Sequence, residues 1–140
     1  MPNWFWVLVL IAGVLAVGLL RERWRMREME SFAAQRGFVL HSPFVPGELP
    51  PMAALAAQLE GRPARRWGAG LSGAVDSIEF TIAEHEMPGH TISTPDVWHV
   101  MLAWRPPDTA AGGEWATRRQ PGNLTKANVE ALLAHLPKAQ

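Results

Sequence analysis

The chain reads as an α+β protein: an N-terminal single transmembrane helix continues as a stalk into a small domain with an antiparallel sheet and two helices. Three observations carry this reading. Trp4 to Leu20 (WFWVLVLIAGVLAVGLL) contains no polar or charged side chain and is followed at once by RERWRMR. Two later segments alternate in hydropathy with the period of a strand. Two others repeat apolar residues at helical spacing beside residues suited to helix ends.

The apolar run covers roughly 25 Å as a helix, the short end of what crosses a hydrocarbon core of roughly 30 Å. Arg21, Arg23, Arg25 and Arg27 follow it, so the positive-inside rule puts the C-terminal portion in the cytoplasm and the N-terminus outside, in the inner membrane of a cell. Trp4 and Trp6 at one edge and Trp24 at the other suit the two headgroup regions. A cleaved secretory signal carries its positive charge before the apolar stretch, and here the charge follows it. The four arginines are expected to face anionic headgroups, diluted by Glu22, Glu28 and Glu30. Within the span, Ala12, Gly13, Ala16 and Gly18 offer small surfaces for contact with another helix.

Met26, Met29, Phe32 and Ala33 form an apolar stripe beyond the arginines, and Gly37 suits a helix C-cap. One helix from about Trp4 to Arg36 is therefore expected, with its last turns packed on the domain. Residues 1–30 are assigned to the anchor and stalk, residues 31–140 to the cytoplasmic domain. Phe38 to His41 predicts a short strand, and Pro51 to Leu59 a helix with proline in its first turn. Arg65 to Leu71 and Val75 to His85 predict two strands joined at Ser72-Gly73. In the second, Ile78, Phe80 and Ile82 oppose Ser77, Glu79 and Thr81, which predicts one buried and one wetter sheet face. Val97 to Arg105 predicts a further strand with Trp98, Val100, Leu102 and Trp104 on its core side. Leu124 to Leu136 predicts a closing helix with Thr125 as N-cap and Ala127, Val129, Leu132, Leu133 and Leu136 packing inward.

Composition narrows the chemistry. From Ser31 onward nine Lys and Arg face ten Asp and Glu, a balance that argues against a nucleic-acid surface. The absence of cysteine excludes disulfides, thiolate-bound metal and thiol catalysis. Gly68, Gly70 and Gly73 match G-x-G-x-x-G, but ARRW before them is not a buried strand and AVDSIEFTI after them does not open a helix. They are assigned to a glycine-rich hairpin, and no cofactor is expected.

Two clusters remain. In EHEMPGH, His85 and His90 join Glu84 and Glu86, and His85 can meet His99 across a strand pair. Pro88 and Gly89 mark the segment as a solvated hairpin tip and no H-E-x-x-H spacing is present, so His85, His90 and His99 stay candidates without an assigned metal. Trp67 and Trp115 lie beside Arg65, Arg66, Arg118 and Arg119, either as core tryptophans or as an aromatic and arginine patch for a partner.

The span, the arginine-rich exit, the helix ending in AAQRGFVLHSP, the alanine-rich helix, the glycine hairpin leading to DSIEFTI and the strand ending in WRPP resemble, in layout, small bacterial single-pass membrane proteins with an uncharacterised cytoplasmic α+β domain. The resemblance covers most of the chain and implies no catalytic residue. The expected role is a non-catalytic accessory or structural subunit of a larger membrane protein complex, with the lipid bilayer and other membrane subunits as partners. The alternative is a membrane-tethered enzyme or metal- or ligand-binding module that uses the His85, His90 and His99 region.

Overall fold

The computed structural model describes residues 3–47, 50–105 and 115–137. Helix α1 spans Asn3–Arg36 without a break, about 51 Å at the α-helical rise. Its N-terminal half includes one stretch long and apolar enough to cross a membrane, none of it buried against the rest of the chain. The helix ends as expected at Gly37, whose φ of +73° suits glycine, and the Phe38 N–H returns to the Ala33 carbonyl at 2.8 Å. That bond closes a Schellman motif. Phe38 then packs edge-on against Phe32, six residues back.

After α1 come β1 (Val39–His41), α2 (Met52–Glu60), β2 (Arg66–Val75), β3 (Ile78–Met87), β4 (Val97–Trp104), β5 (Ala116–Pro121) and α3 (Lys126–Leu133). The strands form one antiparallel meander in the order β1-β2-β3-β4-β5. Thr125 caps α3 by accepting the Asn128 N–H at 3.2 Å, as its side chain predicts. Val129, Leu132 and Leu136 are buried there, whereas Ala127 faces solvent.

Three expectations about the sheet are corrected. The β2–β3 turn is Asp76-Ser77, not Ser72-Gly73: both residues have positive φ, +51° and +68°, and Val75 pairs with Ile78 across a two-residue loop. Ser72 and Gly73 lie mid-strand instead, opposite Thr81 and Phe80. The second correction concerns β5, whose sequence ATRRQP has no apolar alternation and gives no strand signal; it is the charged edge of the sheet. Third, both faces of the sheet are covered. Phe80, Ile82, Val100 and Leu102 pack with Met29 and Phe32 of α1 and Val129 and Leu132 of α3. On the other face Ala83, Met101 and Ala103 lie beneath Met52 and Ala56 of α2, and Thr81, expected on the wet side, is buried.

The three glycines of the apparent dinucleotide motif have a packing role. A Cβ on Gly73 would sit 2.4 Å from the Phe38 ring, one on Gly70 2.5 Å from the Phe44 ring, and one on Gly68 2.3 Å from the Glu84 carboxylate. Each lets a side chain lie directly on the strand backbone. β2 also bulges between Trp67 and Gly70, with Glu84 opposite the extra residue.

Glu84 is the joint between stalk and sheet. Its side chain is 4% exposed, yet it accepts Arg25 Nη1 at 2.9 Å and Nη2 at 3.2 Å, the Leu124 N–H at 2.8 Å, the Ala69 N–H at 3.0 Å and Asn123 Nδ2 at 3.3 Å. The bulge is what turns the Ala69 N–H toward the carboxylate. Arg25 also donates to the Leu124 carbonyl at 2.9 Å and pairs with Glu22. Arg25, expected among the lipid-facing arginines, is instead committed to the domain, where the buried carboxylate and the Leu124 carbonyl accept its guanidinium. Burial disfavours the charged form of Glu84, but the hydrogen bonds from Arg25, Leu124 and Ala69 outweigh it and hold the carboxyl below its usual range.

Replacing Arg25→Met or Glu84→Gln should each destabilise the full chain in detergent by about 3–5 kcal/mol, read from thermal or denaturant unfolding. The double change Arg25→Met with Glu84→Leu should recover little, since the Ala69 and Leu124 N–H groups lose their acceptor. Because the folded pKa of Glu84 is depressed, its contribution is present above the unfolded value of 4.5 and is lost as pH falls through the folded one. The stability gap between wild type and Glu84→Gln should therefore narrow on acidification below 4.5. In the turn, Ser77→Gly should raise stability by about 1 kcal/mol or less by relieving a left-handed residue, whereas Gly73→Ala should cost about 1–3 kcal/mol against the Phe38 ring.

Candidate functional site

The alternation of β3 divides Glu84-His85-Glu86 between the two faces of the sheet. Glu84 and Glu86 point to the side of α1, and His85 to the side of α2. The segment was expected at a solvated hairpin tip. All three residues are instead buried within β3, since the strand continues to Met87. His85 is directly opposite His99 on β4, as the strand pairing predicts, with ring centroids 5.9 Å apart.

Glu60, the last residue of α2, completes the cluster. The helix crosses the sheet above β3 and β4 and stops at Gly61, whose φ is +78°. Glu60 Oε1 then lies 3.4 Å from His85 Nε2 and 3.3 Å from His99 Nδ1, while Oε2 pairs with Arg119 of β5. Glu60 is 7% exposed at its side chain and His85 is fully buried. Burial disfavours ionised Glu60, but Arg119 and the imidazole of His99 outweigh it and hold the carboxyl below its usual range. Burial also pushes the His85 pKa down against the opposing pull of Glu60, which leaves a neutral imidazole at pH 7. A carboxylate only accepts, so His85 Nε2 donates to Glu60 and the buried Nδ1 is left without a partner among the described residues. His99 Nδ1 is likewise buried without a hydrogen bond among the described residues, close as it is to Glu60.

An aromatic wall closes one side of the cluster. The Trp67 ring lies 5.2 Å from that of His85, and Phe44 lies 5.6 Å from Trp67. On the other side is a cavity of about 330 Å³ bordered by Glu60, Arg62, His90, Thr94, His99 and Arg119. The structure thus unites His85 and His99, leaves His90 on the cavity rim, adds Glu60, which sequence reasoning missed, and brings in Arg119, which it had grouped with Trp115 instead. Glu60 gave no local signal, since it ends an alanine-rich helix, and nothing local tied Arg119 to it, since that residue lies in an unpredicted strand.

The remaining site residues separate. Arg65 and Arg66 both pair with Glu86, Arg65 also with Asp96, and the Arg66 guanidinium lies 5.3 Å from the Trp98 ring. Trp67 and Trp115 pack against the α2 cluster, and Arg105 stacks on Trp115 at 4.4 Å. The expected patch of Arg65, Arg66, Trp67, Trp115, Arg118 and Arg119 is not one surface. β2 and β5 are separated by β3 and β4, and neighbouring Arg118 and Arg119 take opposite faces beside Leu102 and Met101. Along α1, Trp4, Trp6, Ala12, Gly13, Ala16, Gly18, Arg21, Arg23, Trp24 and Arg27 are all exposed in this single chain. No protein-family model, curated protein or solved structure matches the chain.

Proposed function

We propose that the chain is a single-pass accessory or structural subunit of a larger membrane protein complex, with its N-terminus outside and its domain on the cytoplasmic face of the inner membrane. One observation carries this reading: the apolar helix runs unbroken into the domain core and is clamped there by Arg25 and Glu84. A flexible tether would let a soluble module act at any orientation. A continuous, clamped helix instead holds the domain at a set height and angle to the bilayer, which is what docking on a neighbouring subunit requires.

The exposed Arg21, Arg23 and Arg27 support the orientation, since they sit at the exit of the span with no acceptor among the described residues. Ala12 and Ala16 share a helix face at i,i+4 spacing, and a Cβ on Gly13 or Gly18 would meet nothing within 4 Å. That part of α1 can approach a second helix closely.

Gentle detergent extraction from native membranes should recover the chain in a complex of defined mass with stoichiometric partners, and Ala12→Leu with Ala16→Leu should shed them. Recovery as a lone monomer would contradict the reading. The cysteine-free chain also permits a direct orientation test. A membrane-impermeant maleimide should label Asn3→Cys from outside and reach His135→Cys only after the membrane is opened; the reverse pattern would invert the topology.

A further inference from the structure

We propose that Glu60, His85 and His99 bind a divalent transition-metal ion of the zinc type, with one coordination position open to the adjoining cavity. This site is independent of the accessory-subunit reading and does not require it.

The geometry is that of a ligand set. One donor atom from each residue lies within 4.8 Å of the others. Two edges of the triangle, 3.4 Å from Glu60 Oε1 to His85 Nε2 and 3.3 Å to His99 Nδ1, match the separation of about 3.3–3.4 Å between ligands of a tetrahedral zinc with bonds of about 2.0–2.1 Å. Two imidazoles and a carboxylate are also ligands that suit zinc and its neighbours among the divalent transition metals. The donors come from three different elements, α2, β3 and β4, each held by the packing of the α2 face.

A second observation is independent of spacing. His99 Nδ1 is buried beside a carboxylate and yet makes no hydrogen bond among the described residues. An unpaired buried nitrogen costs free energy, and a cation held between it and Glu60 would satisfy both. Arg119 engages only Oε2, which leaves Oε1 directed at the imidazoles and orients the carboxylate as outer partners of metal ligands do. Trp67 and Phe44 supply an apolar wall that raises the strength of a charged contact inside. The cavity of about 330 Å³ reaches both Glu60 and His99, so three protein ligands leave a fourth position for water or a small anion.

The full-length, untagged chain in detergent is stripped with chelator and titrated with zinc chloride by calorimetry, with bound metal counted by elemental analysis. One zinc per chain is expected, together with a rise in unfolding temperature. Cobalt(II) in its place should give the visible absorption of a low-symmetry, near-tetrahedral site. Glu60→Gln and His99→Gln should each weaken zinc binding by about tenfold or more, while His135→Ala should leave it unchanged. Glu60→Gln keeps the size and hydrogen-bonding capacity of the side chain and His99 is partly exposed, so the variants are expected to fold, and circular dichroism at equal protein concentration checks this. Failure to retain zinc by a folded wild-type chain would overturn the proposal, as would equal affinity in folded Glu60→Gln and His99→Gln.

Discussion

The structure depends on one buried carboxylate. Glu84 stands in the middle strand of the sheet, where an unpaired charge would cost several kcal/mol. Three other parts of the chain converge to satisfy it: the stalk through the Arg25 guanidinium, the bulge of β2 through the Ala69 N–H, and the entry to α3 through the Asn123 amide and the Leu124 N–H. A buried ion pair adds little net stability over well-packed apolar residues. Its effect here is directional. Apolar contacts between α1 and the sheet would tolerate a rotated or shifted helix, whereas five donated hydrogen bonds on two oxygens admit one placement. The stalk is consequently an extension of the domain, and the apolar half of α1 continues from it without a break.

The same strand organises the opposite face. Because side chains alternate along β3, moving one residue from Glu84 to His85 passes from the stalk joint to the Glu60 cluster. The first two residues of a polar run of three thereby enter two separate buried polar sites, while Glu86 pairs with Arg65 and Arg66. Each site has its own arginine, Arg25 on Glu84 and Arg119 on Glu60. In both, the cation overcomes the burial penalty and keeps the carboxyl ionised. Covering both faces of a small sheet with helices makes this possible, since a wet face would have left His85 and Thr81 in solvent.

The elements whose signals are local were legible in the sequence. The anchor helix with its stop at Gly37, the alternation of β3 and β4, and the Thr125 cap each follow from residues within one or two turns of one another. The His85 and His99 pairing was legible for the same reason, as cross-strand neighbours of two recognisable strands. What failed were inferences that needed a distant partner. Ser72-Gly73 looked like a turn because glycine favours turns, but Gly73 is required by the Phe38 ring that lies on it. The turn itself falls on Asp76-Ser77, which carries no glycine.

The sequence by itself therefore determined the apolar span, the stripe that continues it and the secondary structure of most of the domain, since hydrophobic period and capping act over a few residues. Only the tertiary structure decided which charges are spent inside the molecule. Arg25 differs from Arg21, Arg23 and Arg27 in nothing but its position on the helix, and that position aims it at a carboxylate 59 residues away. Glu60 meets His85 across 25 residues, and Arg119 reaches Glu60 from a strand that has no apolar pattern. Such contacts are set by how helices lie on a sheet, a geometry that residue spacing along the chain does not encode.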